Sequence, residues 1–301
     1  MNGGRSEERP ASLAVRMDKG PRGTQQDHIA ACKVYSGGSR EITLVVQLDG
    51  MGGYAGGDVA AQIAGGHCLG KAVLALSGVG SPPVESTEWE TFCADCVKAA
   101  NEAVVREKAV NQGLSEAGST IVFAAVVNRN VHLAWLGDSR AYIYRGGTME
   151  KLTHDHSRTQ ELIDRRELSP DDREDHPDAG CLTKWLGTPD CFEPDTATAD
   201  GNGADLLLTC SDGLHGCLSD DCLGALIADH MASVGFNPGL LAQQLVDAAL
   251  YVGGQDNVSV AVLSLLGSVL PPTKRYEFAV ASSSVHVSGL GRPSTEEDRH
   301  V

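Results

Sequence analysis

Four aspartates of this chain lie at the ends of apolar, strand-like runs, and they are the residues best placed to do chemistry. Asp49, Asp138 and Asp212 each follow such a run at a tight turn, and Asp256 stands just before another. Side chains at strand ends project from the rim of a sheet, so neighbouring strands bring them together. Several close carboxylates repel one another and need a cation to neutralise them. The pattern therefore predicts a polynuclear divalent-metal site and hydrolysis of a phosphate ester.

The most specific of these segments is Asp49-Gly50-Met51-Gly52-Gly53, directly after a strand-like run. Its glycines also fit a loose dinucleotide-binding fingerprint, but that fingerprint needs an acid about 20 residues further on. No Asp or Glu lies between Asp58 and Glu85, which disfavours a dinucleotide loop. The glycines instead suit a backbone that passes close to a metal, with the Gly50 carbonyl free as an oxygen ligand. Asp212-Gly213 alone is ordinary turn chemistry, so the joint occurrence of the four aspartates carries the prediction.

The elements that must position these residues alternate between strand groups and helix pairs. Alternating or continuous apolar runs predict strands over 29–34, 42–48, 120–127, 131–136, 141–144, 205–209 and 258–266. Helical spacing predicts helices over 58–76, 85–110, 219–231 and 238–252. The three strands between 120 and 144 have the short turns of an antiparallel meander. Two helices after each strand group predict a β-sandwich with helices packed on both outer faces.

The ends of the chain and one insert differ in composition from this domain. We expect a flexible N-terminus over 1–20, one domain over 21–267 and a Pro- and Ser-rich tail over 268–301 outside the core. The charged insert over about 158–180 is predicted to be a flap beside the site. Such a charge run is by default a solvated face, and a flap position would let it set substrate selectivity.

Composition excludes several classes of function. The chain has 301 residues, 40 acidic against 24 basic residues and a net charge of −16, without the basic stripe that a nucleic-acid binder displays. Its N-terminus is polar, and no run reaches the length of a membrane span. Nine cysteines then favour reduced thiols in the cytoplasm, with the Cys93–Cys96 pair structural rather than redox-active. We expect a cytoplasmic monomer that binds neither nucleic acid nor membrane.

The ordered motifs resemble those of the metal-dependent protein phosphatase family, the protein phosphatase 2C type, in its bacterial branch. The matching segments are Arg22-x-x-Gln25-Gln26-Asp27, Asp49-Gly50-Met51-Gly52-Gly53, Gly137-Asp138-Ser139-Arg140, Thr153-x-Asp155-His156-Ser157, Leu182-Thr183-x-x-Leu186-Gly187, Ser211-Asp212-Gly213 and Asp256-Asn257. The resemblance runs from about residue 22 to residue 266. It implies an α+β fold of four αββα layers, in which two antiparallel sheets are flanked by pairs of helices.

The resemblance also implies a role for each site residue. Asp49 is expected to bridge two Mn²⁺ or Mg²⁺ ions, with Asp212 and Asp256 on the first ion and the Gly50 carbonyl on the second. Asp138 corresponds to the family position that, together with Asp212, can hold a third ion in bacterial members. Arg22 is expected to be catalytic with Asp49 and Asp212 and to hold the substrate phosphate, since its planar fork fits two phosphate oxygens. The supporting residues behind the ligands are Asp27 and Asn257.

The expected chemistry follows from these ligands. Hard oxygen donors favour Mg²⁺ or Mn²⁺ over zinc, and two such ions lower the pKa of a bridging water to give a hydroxide near neutral pH. Its attack on phosphorus would release a serine or threonine without a phosphoenzyme, so no cysteine need be a nucleophile. The expected partners are phosphorylated proteins and a cognate Ser/Thr kinase whose signalling the enzyme reverses. A catalytically silent phosphoprotein-binding module and a two-metal nuclease are the alternatives.

Two departures from the family pattern bear on the mechanism. Gln25-Gln26 stands in place of Asn-Glu before Asp27, which removes a carboxylate near the second ion and favours weaker binding there. Met51 occupies the place of a histidine thought to protonate the leaving group in eukaryotic members, so the general acid is unassigned. Metal-bound water is one candidate. His154 and His156 are the nearest histidines in motif context, and a structural role is favoured for both.

Overall fold

The computed structural model describes residues 13–36, 40–52, 56–77, 83–189, 193–266 and 277–281. Within these ranges the strands are β1 (Leu13–Asp18), β2 (Asp27–Ser36), β3 (Arg40–Met51), β4 (Gly118–Ser119), β5 (Ile121–Val127), β6 (Asn130–Leu136), β7 (Arg140–Arg145), β8 (Thr148–Lys151), β9 (Asp195–Asp200), β10 (Leu206–Cys210), β11 (Val258–Ser264) and β12 (Glu277–Ala281). The helices are α1 (Gly57–Ser77), α2 (Ser86–Val110), α3 (Arg158–Asp164), α4 (Asp212–His215), α5 (Asp220–Val234) and α6 (Pro238–Tyr251). Gly53 of the glycine-rich segment lies outside the described residues.

The strands form two antiparallel sheets. The first sheet has the order β1-β11-β10-β7-β8, and the second has the order β12-β2-β3-β5-β6-β9, with β4 paired to β3. The pair α1 and α2 packs on the second sheet, whereas α5 and α6 pack on the first. The predicted four-layer αββα sandwich is therefore confirmed.

Three apolar cores fill the spaces between the four layers. On β3, Leu44 and Val46 pack toward α1 and α2, while Val45 between them packs into the core shared by the two sheets. This alternation is the period of two that a strand buried on both faces requires. The third core lies between the first sheet and α5 and α6 and contains Ile227 and Leu245. Burying each such side chain stabilises the fold by roughly 1.5–3 kcal/mol.

The predicted meander over 120–144 is wrong in its last strand. β5 and β6 pair in the second sheet, but β7 pairs with β10 and β8 in the first. The chain changes sheet at Gly137, whose φ of +103° is rarely open to a residue with a side chain. A Cβ there would lie 2.6 Å from Cγ2 of Thr120. The Gly137-Asp138-Ser139 turn consequently joins the two sheets instead of closing a hairpin.

The predicted boundary at residue 21 is also wrong, because the domain starts earlier. β1 pairs with β11 along its whole length, from Leu13 opposite Leu263 to Asp18 opposite Val258. Leu13 and Val15 pack between the sheets and Ala14 on the opposite face, so this short apolar run is a true edge strand. At the other end, the backbone of β12 pairs with β2, within the segment expected to be a tail. Residues 1–12 and the rest of that tail lie outside the described residues.

One described helix, α1, is long and apolar enough to cross a membrane by length and composition. Its small residues Ala60, Ala64, Gly65 and Cys68 are instead buried against β2, β3 and α2. This packing is that of a core helix in a layered domain. It also fixes the start of α1 next to the end of β3, where the first candidate ligands lie.

Candidate metal centre

Asp49 and Asp27 meet at the edge of the second sheet because β2 and β3 pair in register. Asp27 lies directly opposite Asp49 in the antiparallel ladder. The amide of Asp49 donates to the Thr120 hydroxyl at 3.0 Å, and the Asp49 carbonyl accepts from the Thr120 amide at 2.8 Å. At Gly50 a Cβ would lie 2.2 Å from the Gly57 carbonyl oxygen and 2.6 Å from that of Gln26. Glycine is thus required where β3 meets the start of α1.

Asp212 and Asp256 come from the first sheet, at the end of β10 and just before β11. Asp212 is the first residue of the short helix α4. The next residue, Gly213, passes so close to β11 that a Cβ would lie 1.9 Å from the Asn257 carbonyl oxygen. Asp138 reaches the same edge from the turn that joins the two sheets. The four predicted aspartates therefore come together although 207 positions of the chain separate Asp49 from Asp256 (256 − 49).

The pKa values of these aspartates show how strongly they interact. Burial raises the pKa of Asp49 well above its usual range, and Asp212, Asp27 and Asp138 raise it further by repulsion. Burial, with repulsion from Asp212 and then Asp155, likewise raises the pKa of Asp138. Repulsion strong enough to raise these pKa values requires carboxylates that lie near one another and away from bulk water. The carboxylates are therefore gathered in one acidic centre.

Asp49 and Asp212 interact directly through their carboxyl groups. A hydrogen bond between them raises the pKa of Asp49 and opposes the rise in the pKa of Asp212. Burial and Asp256 nevertheless keep the pKa of Asp212 raised overall. In the described part of the chain, the buried Oδ1 of Asp212 has no hydrogen-bond partner.

These residues fit a divalent cation by their chemistry. The donors are hard carboxylate oxygens, which Mg²⁺ and Mn²⁺ prefer, and one of them is buried and unpartnered. Among the described residues, no three acidic, histidine or cysteine side chains are gathered around one point as a closed metal site. Cation binding would accordingly draw these side chains closer together.

Beneath the acidic centre, Asp27 is fixed by residues from both sheets. Its Oδ2 accepts hydrogen bonds from the hydroxyls of Ser211, at 2.7 Å, and Ser259, at 2.6 Å. The Ser259 hydroxyl is in turn 2.6 Å from Nε2 of Gln47. Burial raises the pKa of Asp27 to about 7, against the opposing effect of the two serines and with added repulsion from Asp212. This buried network ties the sheets together directly behind the candidate ligands.

Arg22, the predicted phosphate-binding residue, contacts one of the candidate metal ligands. Its Nη2 lies 2.6 Å from Oδ2 of Asp256, and its Nε donates to the Gln255 carbonyl at 3.0 Å. Both side chains are well exposed, at 56% for Arg22 and 39% for Asp256. Asn257 holds this region in place, since its Nδ2 donates to the Thr24 carbonyl and its Oδ1 accepts from the Gln26 amide. Arg22 therefore lies at the mouth of the acidic centre.

The residues that depart from the family pattern lie next to the same edge. Nε2 of Gln26 is 2.6 Å from where a Cβ of Gly57 would lie, at the start of α1. The amide thus sits beside Gly50, where a glutamate would add negative charge. His156 accepts from the Gly137 amide at 3.1 Å and stacks on Trp135, and His154 Nε2 is 2.8 Å from Asp164. Both histidines have structural partners.

A second charged cluster next to the centre was missed in the sequence. Arg140 binds the fully buried Asp155, with Nε at 3.0 and 3.1 Å and Nη2 at 2.6 Å from its oxygens. His215, on α4, lies 3.0 Å from the Asp138 carbonyl through Nε2, and burial together with Arg140 lowers its pKa to about 3. This histidine is therefore neutral at pH 7. The sequence offered only one sign of this pair, which is that Arg140 and Asp155 both lie within motifs that match the family. Neither residue belongs to the set of aspartates at strand ends, so the search for metal ligands did not find them.

A four-layer sandwich with five aspartates gathered between its two sheets defines a class of hydrolases that act with divalent cations. The chain belongs to the protein phosphatase 2C family, whose model matches residues 23–248. The family expected from the motifs is thus confirmed.

The chain resembles bacterial serine/threonine phosphatases in sequence and in structure. It is 29% identical over 220 residues to the serine/threonine phosphatase stp of Listeria welshimeri, covering 73% of this chain and 83% of that protein. The crystal structure of serine/threonine phosphatase Stp1 from Staphylococcus aureus superposes with a TM-score of 0.75 at 26% identity, covering 89% of this chain and 100% of that one. The catalytic domain of the phosphatase PstP, solved in complex with two manganese ions, gives a TM-score of 0.68 at 26% identity and covers 84% and 96%.

Proposed function

We propose that this chain is a divalent-metal-dependent protein serine/threonine phosphatase whose acidic centre is the active site. The observation that carries the proposal is the mutual repulsion of Asp49, Asp138, Asp212 and Asp256 beside the buried Oδ1 of Asp212, which has no hydrogen-bond partner among the described residues. An acidic cluster of this kind is costly to keep in a folded protein unless a cation neutralises it. When bound, divalent ions would supply an activated water and the positive charge that hydrolysis of a phosphate ester requires.

The family pattern assigns a role to each ligand. Asp49, which interacts with Asp212 and Asp138, would help to hold two ions, with Asp212 and Asp256 holding the first and the Gly50 carbonyl the second. Asp138 and Asp212 would hold a third ion. Mn²⁺ and Mg²⁺ both suit these oxygen donors, and the Gln26 amide favours weaker binding of the second ion because it contributes no charge. Asp27 and Asn257 would keep the ligand loops in place.

Arg22 would change partners when substrate binds. It pairs with Asp256, and its exposure leaves the guanidinium within reach of solvent. A cation on Asp256 would weaken this pairing by neutralising the carboxylate, and the Arg22 fork would then be free for two phosphate oxygens. The substrate is a phosphoserine or phosphothreonine in another protein, and the enzyme would reverse the action of a Ser/Thr kinase. We further propose a cytoplasmic monomer, consistent with the free cysteines of the described residues.

The proposal is tested with an aryl phosphate and a phosphoserine peptide in the presence of Mn²⁺. We expect both to be hydrolysed, and we expect chelator or Asp212→Asn to abolish both reactions. Asp171→Asn, which removes the same charge from the exposed insert, is the matched control and should keep full activity. Calorimetric titration with Mn²⁺ distinguishes an active phosphatase, which should bind the metal, from a catalytically silent binding module, which should not. Full turnover by Asp212→Asn would overturn the proposal.

A further inference from the structure

Within the insert, the segment that follows α3 is held against the rest of the domain by Arg173. Nη1 of Arg173 donates to Oδ2 of Asp155 at 2.8 Å, and its Nη2 donates to Oε1 of Gln160. The Arg173 side chain is only 15% exposed and that of Asp155 is fully buried. A pair of hydrogen bonds from one buried guanidinium restrains both the position and the angle of the segment that carries it.

Arg173 is not needed to balance the charge of Asp155. Burial would raise the pKa of Asp155, but Arg140 and then Lys151 hold it below its usual range. Arg140 binds both oxygens of Asp155, and Nζ of Lys151 lies 3.4 Å from Oδ1. Asp155 therefore keeps two cationic partners when Arg173 is removed. The contact of Arg173 with Asp155 therefore serves to hold the insert in place.

The residue after the anchor, Glu174, lies at the edge of the acidic centre. Its Oε2 is 3.5 Å from where a Cβ of Gly216 would lie, at the end of α4. After burial, which is the main cause, both Asp212 and Asp155 raise the pKa of Glu174 by repulsion, against the effect of Arg173 and Arg140. Glu174 thus lies close to Asp212 although it belongs to a different segment of the chain, and the residue is exposed to solvent.

We propose that Arg173 is a positioning residue that holds the carboxylate of Glu174 at the mouth of the active site, where Glu174 selects against phosphorylated segments with acidic neighbours. This inference rests on the proposed function. Cations would neutralise the carboxylates of the centre, whereas Glu174 is not among their ligands and its charge would still face the substrate. Repulsion between Glu174 and an acidic residue beside the phosphoserine would weaken binding of that segment. An aryl phosphate has no such neighbour and would be insensitive to Glu174.

The experiment compares two phosphoserine peptides of equal length, one flanked by Asp and Glu and the other by Asn and Gln, with an aryl phosphate as third substrate and saturating Mn²⁺. Glu174→Gln should raise kcat/KM for the acidic peptide roughly 2- to 5-fold, the size expected for one charge pair near a protein surface. The neutral peptide and the aryl phosphate should be hydrolysed as by the parent enzyme. Equal effects on all three substrates, or weaker binding of Mn²⁺ by calorimetry, would make Glu174 a metal ligand and overturn the inference.

Arg173→Ala tests the anchor itself, with Arg165→Ala as a control that removes an equal charge from an exposed site of the same insert. We expect Arg173→Ala to relax the discrimination between the peptides as Glu174→Gln does and to speed tryptic cleavage after the exposed Arg166, which both variants retain, without lowering aryl phosphate hydrolysis. Arg173→Lys should restore discrimination only in part, since one ammonium does not reproduce the fork to Asp155 and Gln160. Unchanged discrimination and cleavage in Arg173→Ala would refute the anchoring role. Absence of aryl phosphate turnover by the parent enzyme would instead refute the proposed function.

Discussion

Asp27 should make the metal-free protein less stable as pH rises, because this residue is buried with a pKa of about 7. The pKa of an unfolded aspartate is near 3.8, so the folded protein binds this proton more tightly than the unfolded chain does. The stabilisation from the proton is fully present below pH 3.8 and is lost as pH rises through 7. This sign is opposite to that of an ordinary ion-paired aspartate.

The magnitude follows from the two pKa values. Between pH 5 and pH 8 the unfolded carboxyl is already ionised, whereas the folded one gives up its proton, so the free energy of unfolding falls by about 2–3 kcal/mol from Asp27 alone. The raised pKa values of Asp49, Asp138 and Asp212 act in the same direction. The lowered pKa values of His215 and of three further histidines act in the opposite direction, so the contribution of Asp27 must be read from the difference between the parent protein and a variant at position 27.

Urea unfolding in chelator at pH 5, 6.5 and 8 measures this effect. Asp27→Asn should remove about 2–3 kcal/mol of the pH dependence, since the amide does not titrate over this range. Asp171→Asn, on the exposed insert, should leave the slope as it is. Saturating Mn²⁺ should restore stability at pH 8, because a ligand that binds only the folded state stabilises it. An Asp27→Asn variant whose stability changes between pH 5 and 8 as much as that of the parent would refute the reasoning.

Two substitutions test the packing around the centre by the same unfolding measurement. Arg140→Ala should lower the free energy of unfolding by about 3–5 kcal/mol because it breaks a buried ion pair. Arg158→Ala breaks an exposed pair and should lower it by less than about 1 kcal/mol. Equal losses in the two variants would contradict the argument from burial. Gly213→Ala should destabilise by about 1–3 kcal/mol or more, because the new Cβ would lie 1.9 Å from the Asn257 carbonyl oxygen. Gly66→Ala, which has open space around it on α1, is the control and should stabilise the protein by about 0.5–1 kcal/mol. A Gly213→Ala variant as stable as the parent would show that α4 and β11 do not meet as described.

The candidate ligands could be predicted because their sequence signal is local. Asp49 and Asp212 each follow a buried strand at a glycine-containing turn, and such turns expose a side chain at the rim of a sheet whatever the partner strands are. The helices over 58–76 and 85–110 were found within a few residues, since their apolar spacing is regular over several turns. The order of the motifs along the chain was also sufficient to predict the family.

What could not be predicted depends on contacts between distant segments. β1 was missed because a six-residue run has too little periodicity to stand out beside a polar N-terminus, and its pairing with β11 stabilises it. β7 was assigned to the wrong sheet because a short turn looks the same in the sequence whether it closes a hairpin or crosses between layers. Arg173 and Glu174 lie in a charge run that by sequence resembles any solvated surface.

The sequence by itself determined which residues are acidic at strand ends, which faces of the strands and helices are apolar, and the family to which the chain belongs. These properties depend on residue type and short spacing alone. Only the tertiary structure decided that Asp27 and Asp49 oppose each other, that the carboxyl groups of Asp49 and Asp212 interact directly, and that Glu174 is held beside them by the Arg173 contact with Asp155. Electrostatic interactions of this kind depend on distance and on burial, which the chain acquires only when its two sheets pack together.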